Sequence, residues 1–263
     1  MGERLDKYGF FMKDIADRSG EVIRGGFGQV FEVAIKDDMT PVTPIDRIVD
    51  YMVANGVKES FPGHGYLGEE VGGRLNSRHV WLCDPLDGTR PYINGIPTVA
   101  FALSLIEDGE VVSSIIQDPI THRSVISAKG EGAWMNGHKL QVSDRDTLDN
   151  ANIHTSWGSE GYLTRLAAIR KLGAKVIKVD ATAYMGMLVA MGKMDADMFT
   201  GNQPWDIAAQ ALAVTEAGGR ATTMNGDKVR ITESIDGLIV SNGLIHDKLV
   251  DIVQLSRKTP DES

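Results

Sequence analysis

Val80-Trp81-Leu82-Cys83-Asp84-Pro85-Leu86-Asp87-Gly88-Thr89 is the stretch on which the reading of this chain turns. The apolar run His79 to Cys83 predicts a buried strand, and the strand runs straight into two carboxylates set three residues apart. Proline fixes φ and glycine admits turns closed to other residues, so Asp84 and Asp87 can converge with the Leu86 carbonyl between them. Hard cations such as magnesium take several oxygen ligands in a tight shell, and this turn supplies part of one. A bare DxxD pattern also describes an acidic surface turn, and the buried strand before it is what argues for a metal. If a helix begins here, the Gly88 and Thr89 amides face a phosphate oxygen.

Outward from this stretch, strands are predicted at Pro97 to Glu107, Val111 to Gln117, Ser124 to Ala128 and Trp134 to Val142, with Asp108-Gly109 and Asn136-Gly137 as hairpin turns. Together they read as an antiparallel sheet. Upstream, Leu5, Tyr8, Phe11, Met12 and Ile15 predict a helix from Arg4 to Arg24. A second helix begins at Thr43, the N-cap, followed by Pro44 and the capping-box residue Asp46. Downstream of about Ser143, short strands alternate with helices: Ala151 to Thr155, Gly161 to Leu172, Lys175 to Val179, Ala183 to Met191, Asp206 to Ala217, Leu238 to Ser241 and Leu244 to Leu255. The division therefore falls between 1–143, carrying most of the acidic motifs, and 144–263.

Three further segments carry candidate chemistry. Gly68-Glu69-Glu70 places two carboxylates side by side, and in an extended segment adjacent side chains diverge, so one of them faces a metal. Trp205-Asp206-Ile207-Ala208-Ala209 opens a helix that ends at Gly218-Gly219, with Asp206 either complementing the helix dipole or reaching a metal. Lys36-Asp37-Asp38-Met39-Thr40 precedes the capped helix, where Asp38 and Thr40 are placed to orient a hydroxyl or a water. Each segment also fits an ordinary polar loop when taken alone.

The 263 residues carry a formal charge of -9, with 27 basic against 36 acidic side chains. That balance argues against a nucleic-acid partner, since phosphate backbones are bound by lysine and arginine clusters. No apolar stretch approaches the ~18 to 20 residues that span a bilayer, and Cys83 is the single cysteine. A cytoplasmic, membrane-free protein is expected. The six histidines show no HxH or HExxH spacing and read as structural, with His64 the nearest to Glu69. Gly26 to Lys36 imitates a kinase glycine loop and its lysine, but the spacing is too short and the HRD, DFG and APE segments are missing.

Taken together and in this order, KDDMTPVTPID, GEE, DPLDGT and WDIAAQALAVTEAGG resemble the inositol monophosphatase superfamily of magnesium-dependent, lithium-sensitive phosphatases. Phe61 to Gly65 and the Lys129-Gly130-Glu131-Gly132-Ala133 stretch extend the resemblance over nearly the whole chain. It implies an α+β fold, a layered αβαβα sandwich of the inositol monophosphatase and fructose-1,6-bisphosphatase type, and a homodimer. It implies metal ligands at Glu69, Asp84, Asp87, Asp206 and the Leu86 carbonyl, for two or three Mg2+ ions. Manganese is expected to substitute, and calcium and lithium to inhibit. Asp38, Thr89 and Glu69 become the catalytic set, with Thr89 orienting the attacking water together with Asp38, the position of the histidinol-phosphate and nucleotide branches, the alternative being Thr40, the position of the inositol enzymes. Asp87, Gly88, Thr89, Arg90, Thr182 and Phe199 become phosphate or substrate contacts, supported by Glu70, Thr40 and Lys36.

The implied substrate is a small phosphorylated metabolite of the inositol monophosphate or histidinol phosphate type. Arg90 after DGT resembles the histidinol-phosphate branch, whereas Phe199 replaces the acid both branches carry seven residues before Asp206. The alternatives are a sugar or nucleotide bisphosphate phosphatase of the same superfamily and, in a different class, a non-catalytic metal-binding regulatory member.

Overall fold

A computed structural model describes residues 2–29, 32–37, 39–156 and 161–258. In chain order they form α1 (Glu3–Gly26), β1 (Ala34–Ile35), β2 (Pro41–Val42), α2 (Pro44–Ser60), β3 (Gly65–Gly68), β4 (Gly72–Gly73), β5 (His79–Asp87), α3 (Thr89–Ile93), β6 (Ala100–Glu107), β7 (Glu110–Asp118), β8 (Arg123–Ala128), β9 (Gly132–Met135), β10 (His138–Lys139), β11 (Asn152–Thr155), α4 (Tyr162–Lys171), β12 (Lys175–Ile177), α5 (Thr182–Ala190), β13 (Ala196–Phe199), α6 (Pro204–Glu216), β14 (Arg220–Thr223), β15 (Leu238–Ser241) and α7 (His246–Lys258).

The buried run in β5 works through its period of two. Trp81 and Cys83 face a cluster built with Tyr8, Met12 and Ile15 of α1 and Val49 and Val53 of α2. Val80 and Leu82 face the other way, toward α5 and α6. Both faces of this sheet are therefore covered, which is why its strands read as continuous apolar runs rather than alternating ones. On the α6 side the contact is made by small residues, Ala100 and Ala102 against Ala208, Ala209 and Ala213, so helix and sheet approach closely.

The eight-stranded sheet has the order β10-β9-β8-β7-β6-β5-β3-β4, antiparallel except where β3 runs parallel to β5. A five-stranded mixed sheet, β12-β11-β13-β15-β14, covers the far side of α5 and α6. Its outer face buries Ile153, Met198 and Ile239 against Ile169 of α4 and Leu249 and Val253 of α7. The layers are thus helix, sheet, helix, sheet, helix, as expected.

The differences from the sequence reading are local. The hairpin predicted around Asn136-Gly137, both at positive φ in the turn, is present as β9 and β10, but its second strand stops at Lys139 rather than running to Val142. β13 and β14 were not anticipated, because Ala196-Asp197-Met198 and Arg220-Ala221-Thr222 lack a strand's apolar run. The strand expected to stop at Cys83 continues to Asp87, with an irregularity in register between Asp84 and Asp87 that re-aims the chain. Met39, also at positive φ, turns the backbone between β1 and β2.

Candidate active site

The irregular end of β5 delivers Asp84 and Asp87 into a cavity of about 790 Å³ that opens between the two sheets. Asp84 is 2% exposed and accepts a 3.1 Å bond from the Leu86 amide. Asp87 is held by both oxygens, accepting from the amides of Thr182 and Tyr184 at 2.8 Å each. Gly88 then turns the chain at φ 88, where a Cβ would lie 2.8 Å from the Thr98 carbonyl and 2.9 Å from Ala181 Cβ. Only glycine satisfies both the dihedral and the space. α3 begins directly after it, which meets the condition set for the Gly88 and Thr89 amides.

Glu69 arrives from the turn after β3. That turn is pinned from α2 by Asp50, which accepts bonds from the Glu70 and Val71 amides at 2.7 and 2.8 Å and from the Tyr66 hydroxyl. Gly68 makes room for it, since a Cβ there would sit 2.1 Å from Asp50 Oδ1. Glu69 lines the cavity and Glu70 does not. Lys36 joins the two, with Nζ 2.5 Å from Glu69 and 2.9 Å from Glu70. Asp206 enters from the first turn of α6, where Pro204 starts the helix.

These acids are poorly compensated. Burial first, then repulsion from Glu69, Asp87 and Asp206, holds the Asp84 carboxyl well above the usual range. Asp206 is raised well above it by burial and by Glu69 and Asp87. Burial pushes Asp87 up to about 7, against the opposing pull of its two amide bonds. Glu69 is raised by burial, partly offset by Lys36. Four mutually repelling oxygen-donor side chains at one cavity are the electrostatic counterpart of a hard divalent cation. Among the described residues no group of three or more His, Cys, Asp or Glu is drawn to a common coordination point. The donor chemistry fits the ion, and the Lys36 ammonium lies on Glu69.

Among the described residues, the carboxylate that accepts from Thr89 is Asp46. The Thr89 hydroxyl lies 3.1 Å from Asp46 Oδ1 and 3.2 Å from the Leu86 carbonyl. Both are acceptors, so its proton points toward that side and its lone pairs are left for the cavity. The other Asp46 oxygen closes the predicted capping box, accepting from the Thr43 amide at 2.8 Å and hydroxyl at 2.5 Å. Burial raises the Asp46 carboxyl, and its bonds to Thr43 and Thr89 oppose this. Asp38, assigned to this role from the sequence, lies outside the described residues.

Thr40, Leu86, Gly88, Thr89, Arg90, Thr182 and Phe199 all line the cavity, whereas Lys36 and Glu70 act from behind Glu69. Sequence reasoning passed over His154, Ser156, Lys178 and Asp180, which line it too. Arg90 reaches Asp180 at 3.9 Å, and Lys178 bonds the Tyr162 hydroxyl at 3.0 Å. His64 stays away from the cavity. It accepts from Trp81 Nε1 at 3.1 Å and stacks between Phe61 and His79, which is a packing role.

Comparison with known proteins agrees with this geometry. The model of the inositol monophosphatase family matches residues 5–258. A histidinol-phosphatase of Mycobacterium tuberculosis is 32% identical over 249 residues, covering 90% of this chain and 94% of its own. A fructose-1,6-bisphosphatase/inositol-1-monophosphatase of Thermotoga maritima is 30% identical over 262 residues, covering 95% and 96%. Among solved structures, the extragenic suppressor protein suhB of Bartonella henselae superposes with a TM-score of 0.89 at 27% identity, covering 94% of this chain and 98% of that one. The Thermotoga maritima IMPase does so with a TM-score of 0.88 at 27% identity, covering 96% and 98%.

Proposed function

This chain belongs to the inositol monophosphatase family, and from that premise we propose that it is a magnesium-dependent phosphatase that hydrolyses the phosphomonoester of a small metabolite. The observation that carries this reading is the meeting, at one cavity, of four repelling carboxylates with the Thr89 hydroxyl backed by Asp46.

Glu69, Asp84, Asp87, Asp206 and the Leu86 carbonyl are the groups that would hold two or three Mg2+ ions. When bound, such ions lower the pKa of a coordinated water and neutralise charge on the departing oxygen. The chain's own part is to orient and to move a proton. Asp46 fixes the Thr89 hydroxyl so that a lone pair faces the cavity, where it accepts a hydrogen bond from the attacking water. Asp46 is the base on the far side of that hydroxyl, the role first given to Asp38. Gly88 and Thr89 present amides to the phosphate, and Asp87 is held rigid by its two backbone donors. No covalent enzyme intermediate is needed.

The substrate side of the cavity carries Phe199, Arg90, Lys178, Thr182 and Ser156. The flanking cations suit any phosphate ester, and Phe199 stands where both the inositol and the histidinol branches carry an acid, so histidinol phosphate and inositol monophosphate enter the test on equal terms. The two halves, 1–143 and 144–263, bring opposite sides of the cleft. The working molecule is a cytoplasmic homodimer with calcium and lithium as inhibitors. Among the described residues, no helix is long and apolar enough to cross a membrane.

The test is a phosphate-release screen with histidinol phosphate, inositol monophosphates, fructose bisphosphate and nucleotide bisphosphates, with and without Mg2+. Magnesium-dependent release from one of them is expected. No release from any, at millimolar substrate and metal, would sink the reading.

A further inference from the structure

His154 and Asp197 stand opposite each other in the parallel register of β11 and β13, 43 residues apart in the chain. Both are almost wholly buried, at 2% and 1% exposure. The ring Nδ1 lies 2.6 Å from Asp197 Oδ1, and Nε2 lies 2.7 Å from the Val179 carbonyl. A carboxylate oxygen and a carbonyl oxygen are both acceptors, so the imidazole donates from both nitrogens and is the charged form. Burial, the largest influence, opposes that charge, and Asp197 together with the Val179 carbonyl overcomes it, leaving the ring's pKa raised.

The second oxygen of Asp197 continues the chain of contacts. It accepts from the Thr182 hydroxyl at 3.2 Å, and that hydroxyl accepts from Gln210 Nε2 at 3.1 Å. Gln210 Nε2 also bonds the Asp206 carbonyl at 2.8 Å. The Thr182 amide, in turn, holds Asp87 Oδ1. His154 therefore fixes one end of the segment 179–182 through Val179, and Asp197 fixes the other through Thr182. The segment so clamped donates to Asp87 and, through Ala181, closes over Gly88.

The geometry points to the His154–Asp197 ion pair as a positioning device that sets the Asp87 carboxylate and the first turn of α6 for cation binding. It rests on the phosphatase reading above but concerns residues that reading leaves without a role. Neither side chain reaches the acids directly. They act through Val179, Thr182 and Gln210, and the positive ring offsets a carboxylate, Asp197, that otherwise adds to the charge against Asp87. A buried ion pair brings little net stability over an apolar pair of the same size, whereas losing one partner leaves a costly lone charge.

The experiment is calorimetric titration of Mn2+ into the parent protein and into His154→Gln, Asp197→Asn and the double variant, alongside kcat and KM on the best substrate. Outer partners of metal ligands typically contribute about 10-fold or more to affinity. Each single variant is expected to bind Mn2+ about 10-fold more weakly and to lose kcat with little change in KM. The double variant should lose no more than the worse single one. Thermal melting with and without Mn2+ separates this from misfolding. Parent-like Mn2+ affinity in both single variants, additive losses, or losses that merely track the unfolded fraction would overturn the positioning role. A parent that binds no Mn2+ and releases no phosphate would instead sink the phosphatase reading.

Discussion

Asp118 and Asp84 are equally withdrawn from water, at 0% and 2% exposure, and live in opposite electrostatic settings. Asp118, at the end of β7, accepts from the Ile120 and Thr121 amides at 3.0 Å, from the Thr121 hydroxyl, and from Arg123 at 2.8 Å. Asp84 has one amide and three repelling carboxylates for neighbours. Burial alone does not separate them. A buried acid with its lone pairs filled builds the fold, and a buried acid facing others of its sign records a cation that the site is shaped to receive.

Substitutions can break this contrast. Asp87→Asn should have the largest effect. It removes a charge from the cavity and sets an amide NH2 against the Thr182 or Tyr184 N–H, so kcat should fall at least ~100-fold, the scale of one preorganised electrostatic group. Near-normal steady-state turnover would show that Asp87 has been misassigned. Asp118→Ala should leave activity per folded molecule intact but cost about 2 kcal/mol in urea unfolding, because two amides and Arg123 lose their acceptor. Asp84→Asn should do the reverse. Without magnesium it should stabilise the protein by about 1 kcal/mol by relieving repulsion, and the stabilisation that added magnesium confers on the parent should shrink. If Asp84→Asn destabilises the metal-free protein as Asp118→Ala does, the contrast fails.

A subtler test uses His246, which is fully buried between the Ser241 and Thr222 hydroxyls at 2.8 and 2.9 Å. Burial, then Arg220, lowers its pKa to about 4. An unfolded histidine titrates near ~6.5, so the unfolded chain takes up the proton first as pH falls. The stability this group contributes is whole above about pH 6.5 and is lost between there and about pH 4. Melting curves against pH for the parent and His246→Gln should diverge in that window alone, with the parent the steeper.

Much of this was legible in the residues. The strand into Asp84, the Thr43 cap and the glycine turn at Gly88 are local and follow from dihedral freedom, capping chemistry and apolar runs. Asp46 was read correctly as a capping residue, but its second contact depends on the start of α3 meeting the first turn of α2 43 residues away, which no local pattern encodes. Asp197 was lost with its strand, since β13 is short and one position in it is charged. The pairing of His154 with Asp197 is a register fact between parallel strands far apart in sequence, and spacing rules for histidine have no access to it. Lys36 was placed near the acids, but its double contact with Glu69 and Glu70 needs the β1–β2 turn in three dimensions.

Asp46 spends one oxygen on the start of α2 and the other on Thr89. An amino acid exchange there would fray a helix and unmoor a hydroxyl in the same stroke. Selection for a sound scaffold and selection for turnover would then act on a single codon, and drift at this position would be resisted twice over.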